Sequence, residues 1–156
     1  YTYKGADAGY TVQTGSTSGD PIQRTLQQKL DDSASVKDFG AEGDGVTDDT
    51  DAINRAINQL FCREVNTEIR RSLFFPAGTY RITNSINVPP YARLHGDGAE
   101  SSIIEMDIND DSTFGDYVLR TADSNQEIGA NIGNAGATRP QYITISDMGF
   151  HSKENI

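Results

Sequence analysis

The sequence has the length of one ordinary domain, 156 residues, and is acidic, with 13 Lys and Arg against 23 Asp and Glu and a formal net charge of −10. This charge argues against a nucleic-acid-binding protein, which would need a basic face, and against binding to an anionic membrane surface. The single cysteine, Cys62, excludes an intrachain disulfide and a cysteine-based zinc site. No uninterrupted apolar run is longer than Leu73–Phe75, so no membrane insertion is expected.

Residues 1–34 differ in composition from the rest and are predicted to form a separate connector segment. Three tyrosines, Tyr1, Tyr3 and Tyr10, precede a Gly/Ser/Thr-rich stretch at 14–19 that cannot bury a core. Tyrosine combines apolar area with a hydrogen-bonding tip, so these three side chains are candidates for attachment to a partner protein. The alternative is a peptide that is ordered along its own domain.

A short helix is predicted at the end of this segment, beginning at Asp20 and Pro21. Asp20 is a favourable N-cap residue, and proline is common at the first helical position. Ile22, Leu26 and Leu30 recur every fourth residue and form one narrow apolar stripe. Such a stripe is too narrow for a helix packed into a globular core but suits a short threefold bundle, so the three residues are candidate trimer contacts.

A glycine-rich turn and an amphipathic helix over residues 48–61 are predicted next. Val36 and Phe39 predict a short strand before the turn, and Thr47 is a favourable N-cap for the helix. Apolar residues recur at helical spacing from Ala52 to Leu60, with polar residues on the other side. The helix is therefore expected to lie on an apolar surface.

Four acidic residues crowd the start of this helix: Asp44, Asp48, Asp49 and Asp51. A metal or catalytic cluster is one interpretation. We favour a loop and helix cap, because carboxylates in the first turn of a helix oppose its positive end.

After residue 62 the pattern changes to short β-rich runs separated by Gly, Pro, Asn and Asp. The predicted strands are 73–75, 79–83, 86–88, 92–95, 102–106, 117–120 and 142–146. Strands this short are unusual in sandwiches and suit the coils of a parallel β-helix. The polar, glycine-rich residues 123–141 are predicted to form a long loop.

Several of these segments together resemble one family. Residues 35–53, SVKDFGAEGDGVTDDTDAI, resemble the opening motif of pectate-lyase-like, right-handed parallel β-helix proteins, and residues 73–82, LFFPAGTYRI, resemble the strand pair that follows. Residues 92–98 and 143–150 are similar to later coils. The resemblance implies that residues 35–156 form the N-terminal part of such a β-helix, with the amphipathic helix covering its open end and further coils beyond.

Residues 27–39 narrow the resemblance to one group of these proteins. They are similar to the junction that precedes the β-helix in tailed-phage tailspikes and tail-fibre appendages. This implies a homotrimeric virion protein whose N-terminal segment attaches to the phage tail or baseplate. The distal β-helix would bind, and in some members cleave, a host surface polysaccharide. Two alternatives stay open: a secreted or periplasmic polysaccharide lyase or glycoside hydrolase, and a bacterial surface adhesin.

No catalytic, metal or cofactor site is predicted within the 156 residues. Catalytic carboxylates of the family lie on later coils, and no acidic pair is singled out by its spacing. Residues 107–111 resemble the start of a calcium loop, but Ser112 replaces the glycine and Val118 the glutamate that such a loop requires. His95 and His151 lie far apart in the sequence and are interpreted as structural or surface residues.

Overall fold

The computed structural model describes residues 10–12, 22–24, 33–62, 71–107, 117–121 and 142–153, which form mainly β structure. The chain divides into two compact units, Tyr1–Ala34 and Ser35–Ile156. In the part of the chain that is described, no helix is long and apolar enough to cross a membrane.

The first unit contains an antiparallel pair of strands, β1 (Tyr10–Val12) and β2 (Ile22–Arg24). The helix predicted to begin at Pro21 is therefore wrong over Ile22–Arg24. Its sequence signal was one apolar residue per turn, which is weak, whereas the β-branched residues Val12 and Ile22 lie opposite each other in the pairing and favour strands. Pairing between segments that are separated in sequence overrides the local helical signal.

The rest of the described chain contains ten strands, one α-helix and two short helical turns. In chain order these are β3 (Ala34–Ser35), a 3₁₀ turn (Val36–Phe39), β4 (Asp44–Asp48), α1 (Thr50–Ile57), a π-helical turn (Asn58–Cys62), β5 (Leu73–Phe75), β6 (Gly78–Ile82), β7 (Ile86–Val88), β8 (Arg93–Gly96), β9 (Ser102–Met106), β10 (Leu119–Thr121), β11 (Thr144–Ser146) and β12 (Gly149–Ser152). The seven strands predicted between residues 73 and 146 are confirmed to within one or two residues at each end.

The strands stack as successive coils. Sheet 1 has the order β11-β8-β5-β3, sheet 2 the order β12-β9-β6-β4, and sheet 3 pairs β10 with β7. The pairs β5–β8, β8–β11, β4–β6, β6–β9, β9–β12 and β7–β10 are parallel. The chain visits sheets 1, 2 and 3 in turn and then returns to sheet 1, so each circuit is one coil of a parallel β-helix. Coil 1 contains β3, β4 and α1; coil 2, β5–β7; coil 3, β8–β10; coil 4, β11 and β12.

Alternate side chains of these strands fill one apolar core between the sheets. Leu73 pairs with Leu94 across sheet 1, and Tyr80 pairs with Ile104 across sheet 2; all four side chains are buried. Tyr80 also brings a hydroxyl into the core, and this group donates to the carbonyl oxygen of Pro76 at 2.7 Å. Burial raises the pKa of Tyr80 to about 12, so the phenol stays neutral.

The predicted strand at Val36 and Phe39 is wrong, because these residues begin and end a 3₁₀ turn. Ser35 Oγ accepts from the N–H of Lys37 at 3.2 Å, and the Asp38 carboxylate accepts from the N–H of Ser35 at 2.9 Å. This reciprocal capping satisfies the first N–H groups of a helical turn. It therefore favours the turn more strongly than the two apolar residues favour a strand.

The predicted amphipathic helix is confirmed in character, but its boundaries and cap differ. Its buried residues lie on one face: Ala52, Ile53, Ala56 and Ile57. The N-cap position is held by Asp49, and the predicted cap residue Thr47 lies in β4, where its hydroxyl donates to Asp44 at 2.9 Å. Asp44 and Thr47 lie three residues apart in β4, and the hydrogen bond between them occupies the hydroxyl that would otherwise cap the helix.

Asn54 joins α1 to the edge of sheet 3. Its side-chain nitrogen donates to the carbonyl oxygen of Ser85 at 3.4 Å, and its side-chain oxygen accepts from the N–H of Asn87 at 3.1 Å. The intervening residue, Ile86, donates its N–H to Val118 on the opposite side, next to β10. One side-chain amide thus supplies to β7 the donor and acceptor that a neighbouring strand would offer.

Replacing this amide is expected to loosen α1 from sheet 3. Asn54→Ala removes both hydrogen bonds and should lower the free energy of unfolding by about 1–2 kcal/mol, measured by urea denaturation followed by circular dichroism. Gln59→Ala is the matched control, because it removes an exposed side-chain amide from the turn that follows α1. We expect a change below about 0.5 kcal/mol for the control. Equal losses in the two variants would contradict the role of Asn54.

Candidate functional site

The acidic residues of coil 1 form hydrogen bonds within their own loop. Asp49 is only 1% exposed, and its two carboxylate oxygens accept from the N–H groups of Glu42 at 2.8 Å and Gly43 at 3.0 Å. Asp44 accepts from the N–H groups of Val46 at 2.8 Å and Thr47 at 2.7 Å. Each carboxylate therefore holds a turn of the backbone in place.

Asp48 connects coil 1 to coil 2. Its carboxylate accepts from the N–H of Thr50 at 3.0 Å and from the hydroxyl of Thr83 at 2.6 Å. Burial acts to raise the pKa of Asp48, but the hydrogen bonds from Thr50 and Thr83 outweigh it and lower the pKa. In the described ranges, no group of three or more His, Cys, Asp and Glu side chains is arranged to hold a metal ion. These contacts give Asp44, Asp48 and Asp49 a structural role in the loop and at the start of the helix.

Three charged side chains and one backbone carbonyl link the four coils at the end of sheet 2. Arg81 Nε donates to the Asp107 carboxylate at 2.7 Å, and Arg81 Nη1 donates to the carbonyl oxygen of Val46 at 3.2 Å. Lys153 Nζ lies 3.6 Å from the same Asp107 oxygen. The Arg81 hydrogen bond holds the pKa of Asp107 below its ordinary value. The Asp107 carboxylate is therefore used in ion pairs with Arg81 and Lys153. The other residues of the candidate calcium loop, 108–111, lie outside the described residues.

Acid is expected to destabilise the fold through these carboxylates. Asp44, Asp48 and Asp107 have lowered pKa values when folded, Asp44 chiefly through the N–H groups of Val46 and Thr47. The unfolded chain therefore binds protons first as the pH falls, near the ordinary aspartate pKa of about 4. The stabilisation is complete above that value and is lost as the pH falls through the folded pKa values.

This dependence is measured by urea midpoints across acidic pH. The midpoint should stay level near neutrality and fall below about pH 4. Arg81→Met removes the donor to Asp107, so it should lower stability at neutral pH and make the acid decline shallower. An acid decline that is unchanged in this variant would contradict the assignment to the Arg81–Asp107 pair.

Two pairs of aromatic rings stack between successive coils, one pair within sheet 1 and the other just before its strands β8 and β11. The rings of Tyr91 and Tyr142 stack with centroids 5.2 Å apart and planes inclined at 25°, and those of Phe74 and His95 lie 5.0 Å apart at 31°. Tyr142 is 74% exposed. Arg93 lies between the two pairs on β8 and is exposed. We define the outer strip of sheet 1 as the two ring pairs and the outward residues of β8 and β11 beside them: Phe74, Tyr91, Arg93, His95, Tyr142, Thr144 and Ser146.

The two tyrosines of the strip occupy equivalent positions in coils 3 and 4. Tyr91 comes two residues before β8 and Tyr142 two residues before β11, and the first residues of these strands, Arg93 and Thr144, pair with each other. Both tyrosines have left-handed backbone conformations, with φ of 62° and 54°. Such a conformation costs a residue with a side chain about 1–2 kcal/mol relative to the right-handed one, and it occurs here in two successive coils.

Several residues predicted from the sequence lie outside this strip. His95 belongs to it, whereas His151 is exposed on β12 opposite Glu105. Tyr10 lies in β1 and Ile22 in β2. The remaining candidates for partner attachment and trimer contact lie outside the described residues: Tyr1, Tyr3, Leu26 and Leu30. So does the predicted loop at 123–141. The attachment and trimer roles stay predictions.

Sequence reasoning missed Tyr91 and Tyr142 as a pair. The available signal was the similarity of their surroundings: a tyrosine, one apolar residue and then the first residue of a strand, in PYAR at 90–93 and in QYIT at 141–144. Aligning the coils with each other, instead of scoring each strand separately, would have found it.

The sequence model of a family described as rhamnogalacturonase A/epimerase, pectate lyase-like, matches residues 33–144. The chain belongs to this family. The match covers the described coils from β3 to the first residue of β11. It agrees with the stacked parallel sheets and with the segments that resemble opening and later coils of pectate-lyase-like proteins.

Two proteins with similar sequences have different named functions, one an enzyme and the other a phage appendage protein. The chain is 34% identical to a glucan 1,3-beta-glucosidase of Cochliobolus carbonum over 119 residues, which is 73% of this chain. It is 29% identical to the preneck appendage protein of Bacillus phage PZA over 126 residues, which is 71% of this chain. It covers 14% of each relative.

A solved structure, bacteriophage CBA120 tailspike protein 3, matches with a TM-score of 0.64 and 24% identity. The match covers 97% of this chain and 22% of that one, and at this identity it supports the fold alone.

Proposed function

We propose that the chain forms the opening coils of a phage tail appendage, a structural component of the virion tail. The observation that carries the proposal is the similarity to the preneck appendage protein of Bacillus phage PZA over 126 residues. The described carboxylates fit a structural role, because Asp44, Asp48, Asp49 and Asp107 are used in hydrogen bonds and ion pairs within and between coils. The tailspike match supports the same fold.

The proposal also covers the winding of the coils, the attachment to the tail, the ligand and the number of copies. The coils wind in the right-handed sense of the family, and α1 covers the open end of the apolar core, which the burial of Ile53 and Ile57 supports. Residues 1–34 attach the appendage to tail or baseplate proteins, and more distal coils recognise a host surface polysaccharide. Three copies assemble, as the resemblance to tailspikes implies.

A second candidate function has its own support. The 34% identity to a glucan 1,3-beta-glucosidase of Cochliobolus carbonum favours an enzyme that acts on a polysaccharide. In that case the described coils would be the scaffold on which a catalytic site elsewhere in the longer protein is built, since the fold hosts more than one function.

One pair of measurements separates the two functions. Immunogold electron microscopy of intact virions, with an antibody raised against this chain, should place gold particles on the tail if the proposal is right. The full-length protein is assayed in parallel for release of reducing sugar from β-1,3-glucan. Unlabelled virions together with sugar release would reject the tail appendage in favour of the enzyme.

The assembly of three copies needs its own measurement. Mass photometry of the full-length protein should give the mass of three chains at nanomolar to micromolar concentrations. A single-chain mass across that range would contradict the trimer and leave the virion location to be decided by microscopy.

A further inference from the structure

We infer that Asn84, in the turn between β6 and β7, is a site of spontaneous chemical modification, where the side-chain amide is lost and isoaspartate forms. The inference goes beyond the proposed function and does not rest on it. Asn84 is exposed and is followed by a small residue, Ser85. The groups that react are the side-chain carbonyl of Asn84 and the backbone nitrogen of Ser85.

These two groups are already in contact in the folded chain. The N–H of Ser85 donates to Oδ1 of Asn84 at 2.7 Å, which holds the backbone nitrogen beside the side-chain carbonyl carbon, Cγ. Ser85 lies between the two strands, so its N–H is directed at its neighbour's side chain instead of at a strand partner. Reacting groups that are held together react faster than groups that must first find each other.

The reaction needs only solvent. The Ser85 nitrogen gives its proton to hydroxide or a buffer base and attacks Cγ of Asn84. A bond forms between this nitrogen and Cγ, the bond from Cγ to Nδ2 breaks, and Nδ2 takes up a proton and leaves as ammonia. Water then opens the cyclic imide at either of its two carbonyl groups. One opening gives aspartate, and the other gives isoaspartate, in which the main chain runs through Cβ and Cγ.

Two Asp-Gly sequences could form the same ring, but the fold holds them differently. The Asp97 carboxylate accepts from the N–H of Ala77 at 2.9 Å, and the N–H of Gly98 donates to a carbonyl oxygen of coil 4. The nitrogen that would attack Asp97 is therefore already used. The pKa of Asp44 is lowered, chiefly by the N–H of Val46, so its carboxyl group stays ionised and resists attack.

The other asparagines of the described ranges lie in regular structure. Asn54 and Asn58 belong to α1 and the π-helical turn, where backbone N–H groups are used in helical hydrogen bonds. Asn87 lies inside β7 and precedes Val88, whose branched side chain crowds the backbone nitrogen. Among the asparagines that the structure describes, Asn84 therefore combines exposure with a neighbouring N–H that touches its side chain.

The modification would act on the junction of three segments. Ser85 is buried; its hydroxyl donates to the carbonyl oxygen of Tyr117, and its own carbonyl oxygen accepts from the Asn54 side chain. Isoaspartate adds one carbon to the main chain immediately before Ser85. This shift would disturb both hydrogen bonds and so weaken the attachment of β7 to α1 and to the start of β10.

The test is incubation of the folded 156-residue chain in mildly alkaline buffer, followed by trypsin digestion and tandem mass spectrometry. Trypsin cuts after Arg81 and Arg93, so Asn84 and Asn87 lie on one peptide and Asn87 serves as an internal control. Conversion should be about tenfold or more faster at Asn84 than at Asn87. Asn84→Gln should abolish it at this position, because glutamine must close a larger ring. Labelling by an isoaspartyl methyltransferase identifies the isoaspartate.

The same incubation in guanidinium chloride separates the effect of the fold from that of the sequence. Folding should slow the conversion of Asn87 but leave that of Asn84 at least as fast as in the unfolded chain. Slower conversion of Asn84 in the folded chain would overturn the proposal. Equal rates at Asn84 and Asn87 in the folded chain would also overturn it.

The consequence for stability has its own comparison. The isoaspartyl form, separated by ion exchange, should unfold at a lower guanidinium concentration than the parent. Asn84→Asp is the matched control, because it carries the same charge without the extra main-chain carbon, and its midpoint should stay near that of the parent. Equal midpoints for the isoaspartyl form and Asn84→Asp would contradict the disturbance at Ser85. These measurements use neither virions nor polysaccharide, so their outcome is separate from that of the tail appendage.

Discussion

Gly96→Ala is expected to lower the free energy of unfolding by about 2–3 kcal/mol, because the added methyl group has no space between coils 3 and 4. A Cβ at Gly96 would lie 2.5 Å from the carbonyl oxygen of Asp147 and 2.6 Å from Ser102 Cβ. Neither neighbour is free to move. The Asp147 oxygen accepts from the N–H of Gly98 at 2.9 Å, and the buried Ser102 hydroxyl donates to the carbonyl oxygen of Phe75 at 2.7 Å.

Urea denaturation of the variant, followed by circular dichroism, measures this loss. Ser101→Thr is the control, since it adds one methyl group to an exposed residue of the turn that follows β8. Its free energy of unfolding should stay within about 0.5 kcal/mol of the parent. If Gly96→Ala is as stable as Ser101→Thr, coils 3 and 4 are not packed as closely as described.

Asp49→Ala is expected to cost about 2–4 kcal/mol, because it leaves two backbone N–H groups without their acceptor. The Asp49 carboxylate is buried and is the hydrogen-bond partner of Glu42 and Gly43, so it fixes the loop that leads into β4. Asp49→Asn keeps one acceptor oxygen and should lose about half as much.

Asp51→Ala is the matched control for this effect. Asp51 is an exposed carboxylate in the first turn of α1, where it contributes only through the helix dipole. Its removal should cost less than about 1 kcal/mol in the same denaturation experiment. Comparable losses in Asp49→Ala and Asp51→Ala would show that burial and the loop hydrogen bonds do not distinguish the two residues.

The strands β5 to β11 could be predicted because each carries its own local signal, whereas β12 (Gly149–Ser152) was not predicted. In β5 and β9, buried and half-buried residues alternate, and Pro, Gly, Asn or Asp residues mark their ends. The apolar face of α1 could also be predicted from a local signal, because Ile53 and Ile57 lie about one helical turn apart.

The errors and omissions concern contacts between segments that are distant in sequence. The pairing of Ile22 with Val12 decides that β2 is a strand, and no local pattern at Pro21 reports it. The stacking of Tyr91 on Tyr142 depends on the register of β8 against β11, two strands separated by a long stretch of sequence. The choice of Asp49 over Thr47 as the cap depends on where β4 ends. The sequence pattern favoured Thr47, because Asp49 also suits the first turn of a helix.

The strands of coil 1, β3 and β4, are the first strands of sheets 1 and 2, and their length and regularity affect whether another strand can add to them. An exposed strand edge invites strands of other molecules to add to it, as in amyloid, and short or bulged edge strands resist this. β3 has only two residues, and β4 pairs with β6 at Asp44 and Asp48 but shifts register between them. An incoming strand would find few evenly spaced partners on either edge. The short and irregular strands of coil 1 would therefore make a poor template for the addition of a further strand.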